Sequence, residues 1–134
     1  MHSTIAVFTN TPDYSELEDL LTPMLEGNED YFEFCPSQDP VDDEEAETWG
    51  LVKQDGVYGY IENPNAQFDY WDVEKKPVPC SEVAKEDIPY AIVTPYGVWE
   101  SCEDFVSMEN WKAYWETALK RNRNTFVTYC DCHI

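Results

Sequence analysis

The feature that most constrains this chain is the complete absence of Lys and Arg from residues 1–52, a stretch that carries fourteen Asp and Glu residues. Acids without basic neighbours cannot form the i to i+4 ion pairs that stabilise exposed helices, so these carboxylates must remain in water. The densest part is residues 39–47, which read DPVDDEEAE and hold six carboxylates. Any fold of this half must place its acids on the surface and take its stability from apolar packing.

The composition predicts a folded chain rather than a disordered acidic tail. Of the 134 residues, 43% are hydrophobic and 15% are aromatic, which is enough to build a core. We therefore expect residues 1–134 to form a single domain. No signal-peptide pattern and no run of eighteen apolar residues occurs, which predicts a cytosolic location. Five cysteines at scattered spacing predict reduced thiols.

The net charge of −20, from 28 acids and 8 bases, narrows the class of partner. A compact chain of this length has a radius of gyration of roughly 14 Å. Duplex DNA carries about one charge per 1.7 Å of axis, so twenty charges match about 34 Å of duplex. This density argues against direct binding to nucleic acid or to an anionic membrane and favours basic, DNA-binding proteins as partners. The alternative is an acidic accessory protein whose charge only keeps it in solution.

The periodicity of apolar residues predicts two helices and several strands. Residues 3–9 are free of charge and predict a central strand, and residues 39–47 predict a loop or a short helix. One helix is expected from Pro12 to about Thr22, and a second is expected to be capped by Ser107. Further strands are expected at residues 31–35, 57–62, 89–94, 98–101 and 125–133. The order predicts an α+β fold, a single antiparallel-rich sheet with two helices on one face, ferredoxin-like or related.

The C-terminal end holds residue types that can support catalysis or metal binding. Asp131 and His133 are expected on one face of the last strand, where a carboxylate orients an imidazole, but Cys130 and Cys132 are expected on the other face. No CxxC pair, glycine-rich phosphate loop or GxSxG motif occurs. We therefore expect no enzymatic activity, no cofactor and no metal. A small enzyme or metalloprotein that works through these four residues is the alternative hypothesis.

Aromatic and acidic residues alternate in a second stretch, residues 68–74. Phe68, Tyr70 and Trp71 could stack on nucleic-acid bases, but such a site needs interleaved basic residues. Asp69, Asp72 and Glu74 occupy those places instead. The pattern predicts core packing or aromatic anchors in a protein interface, with charge steering from the neighbouring carboxylates.

Three segments of the chain carry a resemblance to a known group of proteins. They are residues 5–12 (IAVFTNTP), residues 63–70 (NPNAQFDY) and residues 129–134 (YCDCHI). They resemble a group of bacteriophage proteins with an NPNAKWDWY-like motif, a following GGRW element and an ending close to DCHI. In this chain Tyr70 is followed by Trp71 and Asp72, so the glycine pair and the arginine of that element are absent. The resemblance implies a phage or prophage origin.

The charge and the resemblance together predict a phage-encoded inhibitor of a host defence system, most of all an anti-CRISPR protein and next an anti-restriction protein. It is expected to work as an acidic DNA mimic in the cytoplasm of the infected bacterial host. Its partner is expected to be a CRISPR effector or restriction enzyme, bound through its basic DNA channel. The residues predicted to bind this partner are Asp13, Glu16, Asp19, Asp39, Asp42, Asp43, Glu44, Glu45, Glu47, Asp69, Trp71, Asp72 and Glu74.

Overall fold

The computed structural model describes residues 1–134 and contains three α-helices, a mixed six-stranded sheet and a three-stranded sheet. The predicted α+β class is confirmed. The elements in chain order are β1 (His2–Thr9), α1 (Tyr14–Leu21), β2 (Glu33–Pro36), α2 (Asp43–Trp49), β3 (Val52–Gln54), β4 (Val57–Glu62), β5 (Tyr70–Val73), β6 (Val78–Pro79), β7 (Ala91–Val93), β8 (Trp99–Ser101), α3 (Met108–Arg121) and β9 (Phe126–His133).

The large sheet is built around β1, as the charge-free run predicted. Its strand order is β5-β9-β1-β7-β8, and the short strand β6 also pairs with β9. β1 pairs with β9 in antiparallel orientation along its whole length and with β7 in parallel orientation. The hairpin expected in residues 89–101 is present as β7 and β8. The sheet is therefore mixed rather than antiparallel throughout.

The prediction that both helices cover one face of the sheet is wrong, because α1 and α3 lie on opposite faces. Leu17 and Leu21 of α1 pack with Ile5 and Val7 of β1 in one core cluster. The second cluster combines side chains from α3 with the alternate residues of β1 and β7, namely Ala6, Phe8, Ile92, Trp111, Trp115 and Ala118. Every residue from Ile5 to Phe8 is apolar and fully buried, so each face of the strand needs its own cover.

The long helix α3 is fixed by a cap and by two indole hydrogen bonds. The Ser107 hydroxyl accepts from the backbone N–H of Asn110 at 3.1 Å, which confirms the predicted cap. Trp111 and Trp115 donate from Nε1 to the carbonyls of Pro89 at 2.8 Å and Lys85 at 3.1 Å. These bonds satisfy the only polar atoms of two fully buried side chains. No helix in the structure has the length and apolar character needed to cross a membrane.

The prediction of a single, ferredoxin-like sheet is also wrong, because β2, β4 and β3 form a separate antiparallel sheet in that order. Together with α2 they occupy residues 29–62, which we call the acidic lobe; the rest of the chain is the body. Ala46 and Gly59 are the only buried residues of the lobe. Its strands have no wholly apolar run like that of β1, so they do not fit into a sheet that is covered on both faces.

Asn63 joins the two segments of the body between which the lobe is inserted. Its side-chain Nδ2 donates to the carbonyls of Pro23 at 2.8 Å and Leu25 at 3.1 Å, and its Oδ1 accepts from the N–H of Asn65 at 3.0 Å. Asn63 is buried, and Leu25 forms an isolated parallel bridge with Phe68. The segment that enters the lobe is thus bonded to the segment that leaves it.

Candidate partner-binding surface

The acidic run forms the helix α2 because its first residues satisfy the helix terminus. Asp42 is the N-cap, and its Oδ1 accepts from the N–H of Glu45 at 2.8 Å. Asp43, Glu44 and Glu45 lie in the first turn, where negative charge interacts favourably with the helix dipole. The helix ends at Gly50, whose φ of 68° lies in the left-handed region that favours glycine.

The helix α2 packs on one face of the small sheet. Ala46 is its buried residue, and the Tyr58 hydroxyl of β4 donates a hydrogen bond to Asp43. This bond is the main cause of a raised pKa at Tyr58, because it favours the protonated phenol. The side chains of Glu44, Glu45 and Glu47 are exposed and accept no hydrogen bond within the chain. Asp42 and Asp43 therefore stabilise the helix, while these three glutamates are free to meet a partner.

The lobe carries half of the net charge of the protein. Residues 29–62 contain eleven acids and one base, Lys53, so their net charge is −10 out of −20. The two contacts within 4.0 Å between a basic and an acidic side chain join His2 to Asp131 and His133 to Asp69, and both lie in the body. Apart from the single charge of Lys53, the carboxylates of the lobe are therefore compensated by solvent ions, and a basic surface can replace those ions.

The acids predicted on the first helix differ in their roles. The Glu16 carboxylate accepts from the N–H of Asn10 at 2.5 Å, and from the N–H of Thr11 at 3.1 Å and its hydroxyl at 3.2 Å. Glu16 thus closes the turn between β1 and α1. Asp13 is the N-cap residue of α1 without a side-chain cap bond, and Asp19 is exposed on the solvent side. These two carboxylates remain available, whereas Glu16 has a structural role.

The predicted residues of β5 do not share one surface. Trp71 is half-buried, packs against the core cluster under α1 and lies 6.4 Å from the Tyr14 ring. Strand alternation turns Asp72 to the opposite face. Asp69 lies 2.8 Å from Nδ1 of His133, and Glu74 accepts from the Thr4 hydroxyl at 3.2 Å. Trp71 is therefore mainly a core residue, and the carboxylates of this edge have partners within the body.

The C-terminal residues are divided between the core and the sheet surface. Cys130 and Cys132 are fully buried beneath α1, and burial raises the pKa of each thiol to about 12. On the other face, His2 contacts Asp131 at 3.1 Å and His133 contacts Asp69, so Asp131 does not orient His133. No group of three or more His, Cys, Asp or Glu side chains is arranged to hold a metal ion.

The three segments that resemble phage proteins are neighbours in the structure. Residues 5–9 belong to β1, residues 129–133 belong to β9, and residues 63–70 lead into β5, which is the next strand of the sheet. Phe68 of the middle segment is buried in the core, and the side chain of Asn63 joins the two segments of the body that flank the lobe. These segments therefore have structural roles in this chain, in strand pairing and core packing.

The sequence prediction missed two features, one next to the lobe and one within it. The first is the structural role of Asn63, for which the Asn-Pro-Asn turn was a signal of a fixed backbone. The second is an exposed apolar face of the small sheet. Its signal was the alternation of β4, in which Val57, Gly59 and Ile61 alternate with Tyr58 and Tyr60.

In comparisons with known proteins, no family model, no curated protein sequence and no solved structure matches the chain. Function therefore has to be inferred from the charge and geometry of these surfaces.

Proposed function

We propose that this protein is a phage-encoded inhibitor of a host defence system, and that it acts as an acidic mimic of DNA. The observation that carries the proposal is the acidic lobe, with eleven acids against one lysine and an exposed helix made largely of carboxylates. Its partner is a host protein that binds DNA through a basic channel. Arg and Lys side chains that normally contact phosphates would contact Asp and Glu of the lobe.

The charge density of α2 supports DNA mimicry in quantitative terms. The six residues from Asp42 to Glu47 rise by about 1.5 Å each and so cover about 9 Å. They carry five carboxylates. One charge per roughly 1.8 Å is close to the value of about one per 1.7 Å for duplex DNA. A channel that is selective for the electrostatic potential of DNA would therefore attract this helix.

The preferred target is a CRISPR effector, and a restriction enzyme is the second choice. Both classes hold DNA in positively charged channels, and a Cas9-type effector recognises much of its substrate by backbone contacts rather than by sequence. The resemblance of three segments to phage proteins supports a site of action in the cytoplasm of an infected bacterium, where both classes of target act. Inhibition by occupation of a channel is stoichiometric and requires no catalytic group, cofactor or metal.

A charge-reversed lobe tests this proposal. The variant Glu44→Lys/Glu45→Lys/Glu47→Lys leaves in place Asp42 and Asp43, the two acids of this region whose side chains accept hydrogen bonds. We expect it to raise the concentration needed to inhibit DNA cleavage by a guide-loaded Cas9-type effector or a restriction endonuclease at least about tenfold, because three attractive contacts become repulsive.

The matched control is a triple reversal in the body at exposed acids without side-chain hydrogen bonds, Glu82→Lys/Glu86→Lys/Glu109→Lys. It changes the net charge by the same amount and should retain inhibition to within about threefold. Full inhibition by the lobe variant, or equal losses in both variants, would contradict a specific role of the lobe. Circular dichroism and thermal melting of both variants establish that each is folded.

A further inference from the structure

The small sheet has an uncovered apolar face. In β4, the side chains of Val57 and Ile61 point away from Tyr58, the residue that contacts α2. The strand registers add residues from the neighbouring strands to this side, because Val52 and Pro36 pair with Gly59, and Phe34 pairs with Ile61. We call this surface the open face, and its apolar residues are Phe34, Pro36, Val52, Val57 and Ile61. Gln54, which pairs with Val57, is a polar residue on the same side.

The open face is exposed although it is apolar. Val52, Val57 and Ile61 are 42%, 46% and 50% exposed, and Ile61 also lines an open cleft of about 770 Å³ between the lobe and the body. In its centre the Phe34 ring lies on Gly59, where an added Cβ would come within 2.8 Å of two ring carbons. The same Cβ would come still closer to the Cys35 carbonyl oxygen, so the absence of a side chain at Gly59 allows both the neighbouring strand and the Phe34 ring to approach. Adjacent exposed apolar residues of this kind mark interaction surfaces.

The charge around the open face decides what can cover it. The lobe carries eleven acids, and its one base, Lys53, lies on the other face, with its ammonium 5.1 Å from the centre of the Tyr58 ring. A second copy of the chain would bring together two lobes of net charge −10 each, and this repulsion opposes self-association. A partner with an apolar patch surrounded by Lys and Arg would instead gain from both kinds of contact.

We infer that the open face is the docking surface for the basic host protein, and that it binds an apolar patch bordered by cationic side chains next to the DNA channel. This inference rests on the proposed function and extends it. The carboxylates of α2 attract the partner and determine the rate of association and its salt dependence. The open face excludes water at the centre of the interface and determines how slowly the complex dissociates.

The variant Val52→Thr/Val57→Thr/Ile61→Thr tests the inference because threonine keeps the branched shape and strand preference of these positions but adds a hydroxyl. The control is Val98→Thr/Val106→Thr, at two exposed apolar residues of the body. Binding kinetics to a guide-loaded Cas9-type effector and to a restriction endonuclease are measured at several NaCl concentrations. We expect a dissociation rate at least about tenfold higher for the open-face variant, with an unchanged association rate and salt dependence.

The outcomes separate the inference from the proposed function. If the open-face variant dissociates like wild type while the charge-reversed lobe binds poorly, the docking inference is wrong and DNA mimicry stands. If the open-face variant binds poorly but salt and charge reversal have no effect, an apolar docking surface remains and DNA mimicry is wrong. If wild type binds neither probe, both are overturned. Sedimentation that shows a wild-type dimer and a monomeric open-face variant would identify a second copy as the occupant and overturn the inference.

Discussion

Replacing Asn63 by alanine should remove the hydrogen bonds between the two segments that flank the lobe and so destabilise the lobe. The side chain makes three hydrogen bonds, at 2.8 Å to Pro23, 3.1 Å to Leu25 and 3.0 Å from Asn65, and it is only 4% exposed. At about 1 kcal/mol for each bond, the free energy of unfolding should fall by about 3 kcal/mol. For a domain of this size, that corresponds to a drop in melting temperature of about 10 °C.

The effect of Asn63→Ala should also be unequal along the chain. Two of the lost bonds join the segments that flank residues 29–62, and this lobe has few buried apolar side chains of its own, so it should open before the body does. Hydrogen exchange followed by mass spectrometry should show faster exchange in β2, β3 and β4 and little change in β1 and β9. Thermal melting measures the global loss in the same samples.

The control for this experiment is Asn65→Ala, which removes an exposed side chain that makes no hydrogen bond in the structure. It should change the melting temperature by no more than about 2 °C. An Asn63→Ala protein that melts like wild type would refute the assigned role of this side chain. Uniform acceleration of exchange over lobe and body would refute the weaker coupling of the lobe.

Three further predictions concern the N-terminus of α2, the buried thiols of Cys130 and Cys132, and the net negative charge of the protein. Asp42→Ala should cost about 1 kcal/mol in urea unfolding, since it removes the N-cap of α2, and Tyr58→Phe should cost a similar amount through its bond to Asp43. Burial raises the pKa of Cys130 and Cys132 from 9.0 to about 12, so above pH 9 the unfolded chain loses these protons while the folded chain keeps them. The free energy of unfolding should therefore fall as pH rises from about 9 to 12. Urea unfolding at pH 8 and 10.5 should show a smaller fall for Cys130→Ala/Cys132→Ala than for wild type. With 28 acids against 8 bases, the wild-type melting temperature should rise between 20 and 300 mM NaCl, and an unchanged value would contradict strong self-repulsion.

The sequence contained enough information to predict most elements of the body, but not the short strands β5 and β6. The charge-free run of β1, the hairpin of β7 and β8 and the Ser107 cap of α3 follow from local patterns that tertiary packing did not change. The placement of α1 and α3 on opposite faces depends on which helix meets which alternate set of strand residues. The sign in the sequence was the run of consecutive apolar residues from Ile5 to Phe8, which is consistent with cover on one or both faces.

The small sheet was harder to predict because its assembly depends on distant contacts. Strands were expected at residues 31–35 and 57–62, and they lie at residues 33–36 and 57–62, but no local pattern indicates that they pair with each other rather than with β1. The Asn-Pro-Asn sequence signals a turn, but the carbonyls of Pro23 and Leu25 that accept from Asn63 lie about forty residues away and leave no local signal. The acidic helix was identified as a candidate site from charge alone, whereas Glu16 and Trp71 were grouped with it although hydrogen bonding and core packing occupy them.

DNA mimicry requires the acidic lobe to occupy a DNA-binding channel. The most direct measurement is equilibrium competition for a guide-loaded Cas9-type effector or a restriction endonuclease between this protein and labelled duplex DNA, repeated from 50 to 300 mM NaCl. DNA mimicry predicts mutually exclusive binding, with an affinity of the protein for its target that falls steeply with salt. A ternary complex in which DNA is bound with unchanged affinity, or binding of the protein that is independent of salt, would contradict the claim.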